Sequence, residues 1–257
     1  MADIKPQKYR DDRPAEAFDR FHERARTKGT GWTYHAVRVI VTVPTIAIYR
    51  AIALGTENVP TSGPVILAPN HFSNVDHFFV AVYLRRNVRY MAKSQLFKNP
   101  ILSYVISRGG AFPVRRGAGD EETFKTAYTI LDRGGALLIY AEGGRSRTGE
   151  LGKPRRGVGL IALESGAPVV PVAIHGSGGV RGWRRGNFPK VTMQYGEPLT
   201  FDIVERPDRH QQQAAADEIF ASVREMYGAL EERGRRSVLR SLREARAASG
   251  TRAAQAG

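Results

Sequence analysis

The stretch Val65-Ile-Leu-Ala-Pro-Asn-His-Phe-Ser-Asn-Val-Asp76 changes character partway along. It opens as a short continuous apolar run, the pattern of a strand covered on both faces. Pro69, Asn70, Ser73 and Asn74 then favour turns and helix caps over extended pairing. Apolar residues resume over 78–84, as in a helix whose first turn holds Asp76. This order puts His71 at the carboxyl end of a strand, where open α/β sheets gather their ligands. Asp76 is then placed to accept a hydrogen bond from one imidazole nitrogen. Such a bond selects the tautomer and leaves the other nitrogen to take a proton from a substrate hydroxyl. Taken alone, the pair equally fits a surface histidine beside a helix-capping aspartate. The rest of the chain decides between the two.

Past Gly55, compact β-rich runs occupy 65–68, 88–91, 136–140, 169–174 and 191–195. Helical patterns over 78–84, 120–133 and 157–165 lie among them. Residues 211–232 read as a closing helix, with Ile219, Val223, Met226, Tyr227 and Leu230 roughly on one face. Acidic residues at 120–122 and the Gly134-Gly135 pair suit the two ends of the 120–133 helix. The alternation predicts an α/β fold with a largely parallel sheet flanked by helices. A chain of 257 residues is long enough for one sizeable core of that kind.

The formal charge of +14 is unevenly spread. Eight Lys/Arg face six acidic residues before Trp32, whereas seven Arg follow Glu232 against Glu244 alone. A basic end of this sort suits anionic lipid headgroups, nucleic acid or plain solvation. Nucleic acid is not an expected partner, because no aromatic stacking platform accompanies those arginines. With no cysteine in the chain, a disulfide framework and a thiol nucleophile are excluded and zinc would lack thiolate ligands. His71, Asp76 and His77 do not form part of a wider ligand cluster, so no metal is expected.

The polar segment 1–31 has no secretory signal pattern. Segment 32–54 turns apolar, but Arg38, Pro44 and Arg50 interrupt it. It falls short of the ~20 uncharged residues that a spanning helix requires. It reads as a helix, or bent helical pair, lying in a membrane interface with Trp32, Tyr34 and Tyr49 at the polar boundary. A helix packed on the core is the alternative. The predicted divisions are thus 1–31, 32–54, a main unit over 55–232 and an Arg-rich end over 233–257.

Two further stretches suit anions. Gly109-Gly110-Ala111-Phe112-Pro113-Val114-Arg115-Arg116 is a short apolar element entered by glycines and left by arginines. Ala141-Glu142-Gly143-Gly144-Arg145-Ser146-Arg147-Thr148-Gly149 follows a predicted strand directly. Glycine lets backbone N–H groups approach an anion, and arginine offers a forked, permanently charged donor. Each loop alone is also compatible with a solvated surface.

In order along the chain, Asn70-His71-x4-Asp76, Gly110…Arg116, Glu142-Gly-Gly-Arg145-Ser146 and Val170-Pro171-Val172 resemble the four blocks of the glycerolipid acyltransferases. That family comprises the lysophosphatidate (1-acylglycerol-3-phosphate) acyltransferases and their relatives. The lead-in Gly55-x-Glu57-Asn58-Val59-Pro60, and Lys93 followed by Leu96 and Pro100, resemble it too. The likeness covers roughly 54–199.

The resemblance implies that His71 is the general base, that Asp76 orients it, and that the acceptor hydroxyl attacks the acyl thioester directly. It implies Arg145 as leading phosphate ligand, with Arg116, Lys93, Gly143, Gly144 and Ser146 as helpers. Asn70, Glu142 and Gly110 take supporting roles, and Pro171 is structural or borders the acyl channel. Backbone N–H groups near the His71 turn are candidate oxyanion donors. The implied partners are a lysophospholipid acceptor, acyl-CoA or acyl carrier protein as donor, and an anionic membrane surface on the cytoplasmic side, with no cofactor. Two positions depart from the family pattern: Gly144 replaces a threonine, and Arg115 stands where an acidic residue is common. These leave open another lipid or glycolipid acceptor. A non-catalytic basic membrane-binding module is the reading from outside the enzyme class.

Overall fold

A computed structural model describes residues 11–115, 120–146 and 148–255. The strands are β1 (Ile52–Leu54), β2 (Val65–Pro69), β3 (Val88–Lys93), β4 (Ala111–Val114), β5 (Ala136–Leu138), β6 (Val169–His175) and β7 (Thr192–Tyr195). They form one seven-stranded sheet in the order β1-β7-β6-β2-β5-β3-β4. Strands β2 to β6 run in one direction, and β7 is antiparallel to β6 while β1 runs parallel to β7. The expected α/β layer with a largely parallel sheet is therefore what the chain adopts.

The register of β2 explains why its sequence is apolar throughout. Side chains alternate between faces along a strand. Ile66 and Ala68 join the core formed with Ala127, Ile130, Ile161 and Phe220, whereas Val65 and Leu67 join Phe79, Val80 and Leu84 on the other face. Helices α1 (Asp19–Thr27), α5 (Glu121–Asp132), α6 (Gly157–Ser165) and α7 (Arg209–Gln255) cover the first face. Helix α3 (Asp76–Val82) covers the second, with α2 (Trp32–Val43) stacked outside it. Leu67 is fully buried, so its loss to Ala would cost about 2–5 kcal/mol. Helices α6 and α7 touch closely at Gly159, where a Cβ would lie 2.0 Å from the Gln212 carbonyl oxygen.

Several elements differ from the sequence expectation. The apolar segment 32–54 does not stay helical: α2 gives way to a π-helical turn, Pro44–Ile48, and then to edge strand β1. Ile52–Leu54 is drawn into the sheet because β7 offers an open edge, pairing Ile52 with Thr192. The polar segment before Trp32 contains α1, whose Phe21, His22 and Ala25 are buried with Phe18 just ahead. Helix α4 (Pro100–Arg108) arises behind a cap, Asn99 Oδ1 accepting from the Leu102 N–H at 2.9 Å. Helix α7 continues past residue 232 with a break at Gly234 (φ 69°, ψ 159°), and Val238 beyond it is buried against Leu54, Ala173 and Leu230.

Candidate active site

Strand β2 ends at Pro69, but its pairing continues through a side chain. Asn70 donates from Nδ2 to the Ile174 carbonyl at 3.0 Å and accepts the Ile174 N–H at 2.7 Å. Its amide thus stands in for one more peptide of the β2–β6 ladder while the backbone turns away. The turn then wraps around one carboxylate. Asp76 Oδ2 accepts from the Phe72 and Ser73 N–H groups, both at 2.7 Å, and lies 2.9 Å from His71 Nδ1. A carboxylate can only accept, so Nδ1 carries the proton and Nε2 is the basic nitrogen. Asp76 is fully buried and the His71 side chain is 13% exposed. His71 and Asp76 are brought together as the spacing predicts.

The loop after β5 closes over this turn. Glu142 Oε2 accepts the His71 N–H at 2.7 Å, and its Oε1 accepts the Gly152 N–H at 2.6 Å. Burial pushes the Glu142 carboxyl upward, and the two N–H donors oppose that shift. The Ser146 N–H in turn donates to the His71 carbonyl at 2.8 Å. Both backbone polar groups of His71 are therefore held by residues 142 and 146, which brings the backbone of Arg145, the neighbour of Ser146, to the His71 turn. Gly143 adopts φ +64°, and a Cβ there would stand 3.0 Å from Arg155 Cγ. The Ser146 hydroxyl donates to the Glu150 carbonyl at 2.6 Å and so closes its own loop, with Gly144 two positions ahead.

The remaining expected residues are dispersed. Lys93 ends β3, at the same end of the sheet as His71 but two strands away, about 10 Å by strand spacing. Arg115 donates to the Arg13 carbonyl, and its own N–H goes to Asp120 Oδ2. Arg116 lies outside the described residues. Gly110 sits at the opposite end of the sheet, where β4 starts. Its φ of +94° and the Val88 carbonyl 3.0 Å from a would-be Cβ make it a packing glycine. Pro171 is central in β6: it accepts the Gly196 N–H at 2.9 Å, and its missing donor falls just beyond the last residue of β7.

One expectation is corrected. The N–H groups of His71, Phe72 and Ser73 are all committed to the Glu142 or Asp76 carboxylates, so none of them is an oxyanion donor. His77 is also set aside as a base: burial, reinforced by His71, lowers its pKa to about 4. Tyr140, at the end of β5, escaped notice in the sequence. Its ring stacks on the His71 imidazole with centroids 3.6 Å apart and planes 14° from parallel. The β2–β5 pairing that creates this contact joins residues far apart in the chain and leaves no local signal.

An apolar groove of about 500 Å³ begins at Ser73 and Phe79 and runs between Tyr49, Ile48, Val180 and Phe188. Above it, α2 and α4 leave Trp32, Val39, Ile40, Val43 and Ile101 between 68% and 77% exposed. No helix of the described residues is long and apolar enough to cross a membrane. Among the described residues, no group of three or more His, Cys, Asp or Glu is arranged to hold a metal ion.

The chain is similar to several known proteins. Residues 51–175 match the Acyltransferase family model. A 1-acyl-sn-glycerol-3-phosphate acyltransferase of Bacillus subtilis is 30% identical over 179 residues, 68% of this chain and 87% of that protein. A chloroplastic enzyme of the same name from Brassica napus is 29% identical over 133 residues, which is 51% of this chain but only 38% of the longer plant protein. The crystal structure of the 1-acyl-sn-glycerophosphate (LPA) acyltransferase PlsC from Thermotoga maritima has the same fold, with a TM-score of 0.58 and 20% identity over 83% of this chain and 88% of that one. On the strength of the extended match to the Bacillus relative, this chain belongs to the 1-acyl-sn-glycerol-3-phosphate acyltransferase family.

Proposed function

We propose that this protein moves a fatty acyl group from a thioester, carried by coenzyme A or acyl carrier protein, to the free hydroxyl of lysophosphatidate, giving phosphatidate. The observation that carries the reading is the His71–Asp76 pair crossed by the 142–146 loop. His71 Nε2 takes the hydroxyl proton as the oxygen attacks the thioester carbonyl. Asp76 stabilises the imidazolium that forms. When the tetrahedral adduct collapses, the C–S bond breaks and the thiolate recovers the proton from His71. No covalent enzyme intermediate and no resident cofactor is needed. Arg145 leads in gripping the phosphate, with Gly143, Gly144 and Ser146 shaping its loop and Arg116 and Lys93 as outer helpers. Arg155 is tied to the same loop through the main chain, its backbone N–H donating to the Ala141 carbonyl at 2.8 Å.

The acyl chain occupies the groove leading away from Ser73, and the exposed α2–α4 face docks on the cytoplasmic side of a membrane. Large apolar side chains left exposed on two packed helices are a usual mark of an interaction surface. Arginines of α7 supply charge for anionic headgroups: Arg236, Arg240 and Arg243 are exposed at helical spacing. Arg235 donates to the Arg50 carbonyl at 2.8 Å, and Arg50 donates to the Phe188 carbonyl at 2.6 Å. The basic end of the chain is thereby clipped to the rim of the groove.

The test is a panel assay with the full chain, one labelled acyl-CoA, and lysophosphatidate, glycerol 3-phosphate, an uncharged lysolipid and a mannosylated lipid side by side. Preferential labelling of lysophosphatidate is expected. Preference for the mannosylated acceptor would redirect the reading to the alternative that Gly144 and Arg115 leave open, and no labelling of any acceptor would overturn it.

A further inference from the structure

Tyr140 enters none of the steps above, yet its ring lies flat on the imidazole. We infer that Tyr140 is a positioning residue for His71, its ring fixing the imidazole plane and its hydroxyl standing as the available donor for the Asp76 oxygen that has none. The inference rests on His71 being the base.

Two independent observations carry it. The first is geometric. The bond from Nδ1 to Asp76 holds one edge of the imidazole but leaves the ring able to rock about that bond. A parallel aromatic face at 3.6 Å blocks the rocking and keeps Nε2 pointed in one direction. Formation of the imidazolium adds an attraction between cation and ring face.

The second observation is a count of donors and acceptors. Asp76 is fully buried, and its Oδ2 accepts three donors while Oδ1 has no hydrogen-bond partner. The enclosed Tyr140 hydroxyl likewise has no partner at hydrogen-bond geometry, Asp76 Oδ1 included, although the His77 N–H acts on its oxygen. Buried polar groups in folded proteins are nearly always paired, and here one orphan is an acceptor and the other a donor. Burial, and then the Asp76 charge, push the phenol well above its usual range, so it stays protonated and able to donate. Strand pairing explains how the residue arrives: Ile139 and Ala141 donate to the Leu67 and Pro69 carbonyls, which carries Tyr140 along the end of β2 to the turn.

Steady-state kinetics on the full chain separate the two parts. Tyr140→Phe keeps the ring and removes the hydroxyl; Tyr140→Leu removes both; His71→Ala is run alongside, with thermal melts of all three. Misplacing a base by about an ångström costs on the order of 100-fold. Tyr140→Leu is accordingly expected to lower kcat by about 10–100-fold with both KM values within about twofold, and Tyr140→Phe, which keeps the ring but loses the donor, by about 3–10-fold. A purely structural role would instead lower the melting temperature and leave kcat per folded molecule unchanged. Wild-type kcat in Tyr140→Leu beside an inactive His71→Ala would overturn this inference alone. Activity in His71→Ala would overturn the base reading and this inference with it. Should Tyr140→Leu not fold, a Tyr140→Phe variant indistinguishable from wild type in kcat overturns it.

Discussion

The His71 turn and helix α2 border the same groove, α4 packs against α2, and the turn and this helical face obey opposite rules. At the turn, three successive N–H groups each meet a carboxylate oxygen, and the carboxylate that orients the histidine is fully buried. On α2 and α4, large apolar side chains stand almost as exposed as in an unfolded chain. The first region ties its three backbone N–H groups down within the protein, which fixes the path of the turn before any substrate arrives. The second leaves large apolar side chains uncovered by the described residues, which is what the proposed membrane docking requires. In the proposed function the first region carries the chemistry and the second the docking.

The sharpest way to break that contrast is His71→Ala. Loss of a general base is expected to lower kcat by about 10²–10⁴-fold. Sedimentation with lipid vesicles should be unchanged, because the substitution leaves α2 and α4 intact. Weakened vesicle binding in this variant would mean that the two regions are not separable.

The reciprocal change, Ile40→Glu on the exposed face, should reduce binding to vesicles about 10–100-fold, since it both removes buried apolar area and places a charge at the interface. Transfer to a short-chain, water-soluble acceptor should stay within about twofold of wild type. A parallel fall in that activity would show that the α2 face is part of the catalytic fold.

The smallest expected effect is that of Glu142→Gln. Glutamine can accept from only one of the His71 and Gly152 N–H groups and presents N–H to the other. One unsatisfied buried donor costs about 1–3 kcal/mol, or roughly 3–10 °C in melting temperature for a chain of this size. A modest fall in kcat should accompany it as the turn loosens. A melting curve identical to wild type would show that the staple contributes nothing.

Legibility tracked how local the governing interactions are. Strand β2 and the His71–Asp76 spacing were readable because apolar run, turn formers and helix start lie within twelve consecutive residues. Helix α1 had a readable signal in Phe18, Phe21, His22 and Ala25 at helical spacing, hidden by the surrounding charge. Asn99-Pro100 likewise announces α4 by its cap. Strand β1 had no such signal: Ile52–Leu54 continues an apolar segment without a break in composition, and only the open edge of β7 turns it into a strand. The N–H groups of the His71 turn are taken from both ranges: Asp76 holds those of Phe72 and Ser73 locally, and Glu142 reaches that of His71 from 71 positions away.

From its order of residues alone, this protein was committed to an α/β sheet with a histidine and an aspartate at one strand end, because periodicity and turn chemistry act over a few neighbours. Which groups surround that histidine was decided only by the crossing of distant strands. Placing β5 beside β2 brings Tyr140, Glu142 and Ser146 onto one turn, and contacts of that kind are fixed by how layers close over a shared core rather than by spacing along the chain.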